Sequence, residues 1–111
     1  MDPERARELL AAERARIERE LPRLAPADDG EIDDDSDPAN LASDLYQDEY
    51  DAGRAEVLRE QLAAVERAEE RLANGTYGLS VESGDPIPDA RLEAYPTAER
   101  TADEERRRTG R

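Results

Sequence analysis

The chain contains no cysteine, histidine, tryptophan, phenylalanine or lysine, and a single methionine. Without cysteine there is no disulfide and no thiol nucleophile. Without histidine as well, the usual zinc ligands are gone. Aromatic residues are four tyrosines, and with hydrophobic residues at 36% of 111 there is too little apolar material for a large globular core. No apolar run approaches the ~20 residues a membrane helix needs. The first residues show neither the apolar core nor the cleavage site of a signal peptide. Together these absences predict a soluble, cytoplasmic protein of one small domain, with no membrane partner.

Positive charge is also scarce. Sixteen basic residues, all arginine, face 30 acidic ones, for a net charge of −14. The acids are concentrated: Asp28, Asp29, Glu31, Asp33, Asp34, Asp35 and Asp37 crowd one ten-residue span. Affinity for nucleic acid comes from cationic contacts to phosphate, so sequence-specific nucleic-acid binding is not expected. A basic surface on another protein is the better match. Acid–base catalysis needs paired groups with separated pKa values in a sheltered cleft, and these acids lie in a connecting segment. The Asp33–Asp37 spacing also lacks the glycine and distal glutamate of a calcium loop. No catalytic residue, cofactor or metal site is therefore assigned, and the chain reads as an interaction module rather than an enzyme.

What the chain has in abundance is helix. Charged residues make up 41%, and alanine, glutamate, arginine and leucine dominate. Asp2 can cap a first helix with Pro3 at its first position. Leu10, Ile17, Leu21 and Leu24 then form one narrow apolar seam. Pro22 removes a backbone donor, which predicts a kink or an end near Glu20. Pro26, Gly30 and the acid run break regular structure. A second helix opens at Asp37-Pro38, and Leu41, Leu45, Ala52, Ala55, Leu58, Leu62, Val65, Ala68 and Leu72 continue a seam of threes and fours to a C-cap at Asn74-Gly75.

Two such seams predict a mainly α fold: an antiparallel coiled-coil helical hairpin over residues 1–74, with helices about 3–24 and 38–73 and an acidic tip at 25–37. A tight fold-back would set Leu24 against Ala42, Ile17 near Glu49, Leu10 near Ala55 and the N-terminus beside Ala63. Val65, Ala68 and Leu72 would then need cover from the chain beyond Gly75, from another chain, or have none. The alternation Leu79-Ser80-Val81-Glu82 predicts a short strand. Ile87, Ala90, Leu92 and Tyr95 supply a small knob over 75–100. Residues 101–111, with nothing apolar larger than alanine, form a flexible or helical tail.

The strings Gly75-Thr76-Tyr77-Gly78, Ser83-Gly84, Pro86-Ile87-Pro88, Arg91-Leu92-Glu93-Ala94 and Pro96-Thr97-Ala98 resemble the DksA/TraR family of bacterial regulators that bind RNA polymerase directly. The resemblance covers residues 37–104. It implies a hairpin with a small C-terminal zinc-finger-like knob. It also implies a transcription regulator that enters the polymerase secondary channel with the hairpin tip toward the active centre. The family carries four zinc-binding cysteines, and the matching positions here are Ser80, Ser83, Thr101 and Glu104. Three hydroxyls and one carboxylate do not replace four thiolates, so a knob without zinc is expected. It should be looser, held by Leu79, Val81, Ile87, Leu92 and Tyr95, with the tail released beyond about Arg100.

The resemblance places the partner-binding tip at Asp33, Asp34, Asp35, Asp37, Asn40 and Ala42. Asn40 stands where the family usually has a second aspartate. Asp37-Pro38 also reads simply as a helix cap. Tyr46 and Tyr50 either cover Leu45 and Leu21 or act as contact anchors. The positions that match the family's guanosine tetraphosphate contacts look like Ala64, Tyr95 and Glu105. None of these can hold a phosphate by charge, so no dependence on that nucleotide is expected. The leading expectation is a monomer whose partner is bacterial RNA polymerase. The alternative is a structural or adaptor hairpin, with a homodimer formed through the Val65–Leu72 seam as one form of it.

Overall fold

A computed structural model describes residues 1–24 and 38–110, with side chains from 1–24 and 49–110. Four helices follow one another: α1 (Pro3–Leu24), α2 (Pro38–Asn74), α3 (Asp89–Ala94) and α4 (Ala102–Thr109). The first two form the hairpin, and the segment from Gly75 to α4 forms the knob. No helix among the described residues is long and apolar enough to cross a membrane.

The helix ends follow local chemistry. Asp2 caps α1: its carboxylate accepts the Arg5 N–H at 3.2 Å and its carbonyl accepts the Ala6 N–H at 3.0 Å. The helix runs through Pro22 to Leu24, rather than breaking near Glu20. In the last turn the ring removes only one hydrogen bond. At the end of α2, Gly75 adopts φ +79°. The Thr76 N–H then reaches the Arg71 carbonyl at 2.8 Å and the Gly75 N–H the Leu72 carbonyl at 3.3 Å, a Schellman closure that uses glycine's freedom at positive φ.

Along the hairpin, Ile17, Leu58 and Val65 are fully buried in one cluster, with Leu21, Leu24 and Leu62 packed against it. Polar pairs on the flanks fix the register. Arg14 holds Glu69 through two nitrogens (2.7 and 3.2 Å), Arg16 reaches Gln61 at 3.1 Å, and Arg54 reaches Glu20 at 3.1 Å. Ile17 therefore lies against Leu58 and not near Glu49, a displacement of nine positions or ~14 Å along α2. A seam of threes and fours offers an apolar partner at every turn, so the pattern fixes the face but not the register.

This register also brings α1 far enough along α2 that its end has a helical partner. Val65 and Ala68 are each 0% exposed within the single chain. The N-terminus passes Ala63 and reaches the knob. There the Met1 side chain and Tyr77 pack against the knob core of Ile87, Leu92 and Ala98, and Arg5 forms a two-pronged pair with Glu93 at 2.7 and 2.8 Å.

The knob has no strand among the described residues. Leu79 and Pro86 form a single antiparallel bridge, and a ladder cannot extend through Pro86, which has no N–H to donate. Gly78, at φ +86°, holds its backbone against Leu92, whose Cδ1 would lie 3.6 Å from an added Cβ. Of the five residues expected to hold the knob, Ile87 and Leu92 do so. Leu79, Val81 and Tyr95 are 38–50% exposed, and Ala98 takes their place. Beyond Arg100 the chain is not released: Thr101 opens α4.

Candidate functional site

The residues that the family resemblance singles out fall into three groups. The tip acids Asp33, Asp34, Asp35 and Asp37 lie outside the described residues. Asn40 and Ala42 belong to the first turns of α2, with side chains outside the described part, as are those of Leu41, Leu45 and Tyr46. Tyr50 is 68% exposed, so it does not serve as cover for the hairpin core.

The second group is Ser80, Ser83, Thr101 and Glu104, which the fold brings together. The turn after α2 is closed by the Ser80 N–H on the Asp85 carbonyl (2.8 Å) and the Gly84 N–H on the Ser80 carbonyl (2.9 Å). Within it the Ser80 hydroxyl accepts the N–H groups of Glu82 (3.0 Å) and Ser83 (3.2 Å) and donates to Glu104 Oε1 at 2.6 Å. From the other side the Thr101 N–H donates to the same oxygen at 2.9 Å, and Thr101 Oγ1 accepts the Glu104 N–H at 3.2 Å. That reciprocal pair is a capping box on α4. Ser80 and Glu104 are 5% and 6% exposed. The Ser80 hydroxyl, then the Ser83 hydroxyl and the Thr101 N–H, hold the Glu104 carboxyl at a pKa of about 2.

Zinc does not fit this arrangement. The donor set is three hydroxyls and one carboxylate, and Ser80 Oγ already accepts two N–H groups. No group of three or more histidine, cysteine, aspartate or glutamate side chains able to hold a metal is present among the described residues. The capping signature Thr101-x-x-Glu104 was available in the sequence. Replacing Thr101 with alanine removes one half of the box and should cost about 1 kcal/mol. Amide exchange at the first turn of α4, followed by NMR, should speed up about fivefold.

The third group lies where hairpin meets knob. Ala64, Tyr95 and Glu105 line one groove of ≈ 550 Å³ together with Arg16, Arg67, Arg100 and Arg108. The sequence does not bring the four arginines together, because Arg16 and Arg67 come from helices whose relative register the apolar pattern leaves open. Each is matched by a carboxylate. Arg16 pairs with Glu13 and with Glu20 (3.6 Å), Arg67 with Glu99 (3.0 Å), Arg100 with Glu82 (2.6 Å) and Arg108 with Glu105 (3.8 Å). Glu99 also takes Arg71 Nη1 at 3.1 Å. Burial raises its pKa, but the Arg67 hydrogen bond and the neighbouring arginines outweigh this and leave it below the usual value. The Tyr77 hydroxyl donates to the Pro96 carbonyl at 2.8 Å, and burial pushes its pKa up.

No family model matches the chain. Among solved structures, transcription factor DksA2 from Pseudomonas aeruginosa superimposes with a TM-score of 0.77 and 34% sequence identity, covering 96% of this chain and 81% of that one. Two proteins of Bacillus subtilis (strain 168) are similar in sequence. One, known as uncharacterized protein YteA, is 42% identical over 64 residues, 58% of this chain and 27% of that protein. General stress protein 16O is 44% identical over 48 residues, 43% of this chain and 29% of that protein. The matched stretches thus span less than a third of either Bacillus relative.

Proposed function

The chain belongs to the DksA/TraR family, and from that membership we propose that it is a transcription regulator that binds bacterial RNA polymerase, its hairpin entering the secondary channel with the tip toward the active centre. The observation that carries this reading is the likeness to the transcription factor DksA2 along nearly the whole chain, hairpin and knob together. A hairpin alone is a common device. The same hairpin joined to the same knob is a much narrower match.

The charge distribution supports it. Between Arg23 and Arg54 the chain carries eleven acidic residues and no basic one. A long helix ending in such a span suits a basic, magnesium-bearing interior. The tip residues Asp33, Asp34, Asp35, Asp37, Asn40 and Ala42 are the proposed contact set. Asn40 brings hydrogen bonds there but no charge. Guanosine tetraphosphate is not expected to modulate binding through the groove at Ala64, Tyr95 and Glu105, since a phosphate would have to displace carboxylates from paired arginines.

The test is capture of purified core polymerase by the tagged protein at low salt, with Asp37→Ala and Asn40→Ala variants alongside. Capture that weakens in the variants and with added salt, and that is unchanged by the nucleotide, is the expected result. No capture at low salt would remove the proposal. An adaptor hairpin that dimerises through Val65–Leu72 has lost its motive, because Val65 and Ala68 are already covered by the chain itself. Light scattering should accordingly report a monomer.

A further inference from the structure

We propose that the Ser80–Ser83–Thr101–Glu104 cluster is a metal-free cross-link, in which one ionised carboxylate ties the turn after α2 to the start of α4 at the positions where the family resemblance implies a zinc site. A structural zinc ties two chain segments together from a single point. Here Glu104 does the same. Its Oε1 takes the Ser80 hydroxyl from the turn after α2 and the Thr101 N–H from the start of α4. The two segments are 24 residues apart at the Ser80–Glu104 bond. Charge-assisted hydrogen bonds of this kind are about twice as strong as neutral ones. The hub is backed by the Glu82 and Ser83 N–H groups on Ser80 Oγ and by the Val81 N–H on the Glu99 carbonyl at 2.8 Å.

The consequence is a change in the agents to which the knob responds. A thiolate–zinc site is lost to chelators and to oxidants. This cluster contains no group that either agent attacks. It does contain a proton-sensitive one. The Glu104 carboxyl is held at about 2, against an ordinary 4.5. A lowered folded-state pKa means stability that is fully present above about 4.5 and is lost as pH falls toward about 2. The charged residues that flank its partners in the sequence are Glu82 and Asp85 in the turn and Glu99 and Arg100 before Thr101. On α4 they are Asp103, Glu105, Arg107 and Arg108. The shift comes from hydrogen bonds and not from these charges. Glu93 and Glu99 also titrate low, each beside an arginine, so the contribution of Glu104 must be read as a difference.

The experiment monitors the whole chain by NMR, using the Ile87 and Leu92 methyl signals and the Thr101 amide as reporters of the knob. Metal is first stripped with EDTA, then zinc is restored, then pH is lowered from 7 to 2. The expected result is a knob unchanged by EDTA or by stoichiometric zinc, and a Thr101 amide that titrates near pH 2. In Glu104→Gln the amide oxygen can still accept from Ser80 and Thr101 but brings no charge, so at neutral pH the fold should persist with Thr101 amide exchange faster by severalfold, and the Thr101 titration should vanish. Should Glu104→Gln fail to fold, Ser80→Ala decides the matter: the Glu104 carboxyl must then titrate well above its value in the parent. Collapse in EDTA, stabilisation by zinc, an unaltered titration in Glu104→Gln, or an unmoved Glu104 pKa in Ser80→Ala would each overturn the proposal.

Discussion

Leu58→Ala should lower the unfolding free energy by about 2–5 kcal/mol, read as a drop in the urea midpoint at constant slope. Small domains have only about 5–15 kcal/mol to lose, so this one change is expected to leave the hairpin barely folded. The reason is the narrowness of the seam. Among the described residues Leu58 is one of five large side chains that are fully buried, and it packs with Ile17 and Val65. Val57, next door but 42% exposed, should tolerate alanine with a change within about 0.5 kcal/mol. A double-mutant cycle adds a test of register. Ile17→Ala and Leu58→Ala should couple by about 0.5 kcal/mol or more because the residues touch. Additive effects for that pair would mean that the helices are aligned otherwise.

Neutralising the tip should have the largest effect on function. The triple change of Asp33, Asp34 and Asp35 to asparagine is expected to slow association with polymerase by about tenfold or more at low salt. That is the range by which steering charges raise on-rates. The loss should shrink as ionic strength rises, because the Debye length falls to ~8 Å at physiological salt. Melting is followed in parallel, so that a loss of folding is told apart from a loss of association. Surface plasmon resonance at several salt concentrations separates the outcomes. An on-rate that ignores both the substitutions and the salt would show that the acids do not guide the encounter.

The elements that were legible in the sequence share one property: their signals are local. Asp2 before Pro3, Gly75 after Asn74, and leucines at threes and fours each act within a turn of helix, and the structure uses all of them. The illegible features depend on distance along the chain. The partner of Ile17 could not be chosen among equivalent apolar rungs. The cover for Val65 and Ala68 came from α1, and the knob gained Met1 from the far end of the sequence. Two local signals were outvoted. Leu79-Ser80-Val81-Glu82 alternates like a strand, yet Pro86 opposite it cannot donate. Thr101 and Glu104 looked like ligands lost, and their new partnership at the head of α4 was hidden behind that loss. The tip role is proposed from a sequence match, and polymerase binding by variants at those positions is the measurement that tests it.

The knob is fastened to both arms of the hairpin: Arg5 of α1 grips Glu93, and Arg67 and Arg71 of α2 grip Glu99. From its knob end to Pro38, α2 is one helix of 37 residues, ~55 Å long. A body mounted this way is a gauge rod with its collar clamped in place. Whatever surface seats the collar also sets the depth and the rotational heading of the opposite end. A regulator so built meters reach by counting residues, at ~1.5 Å for each one.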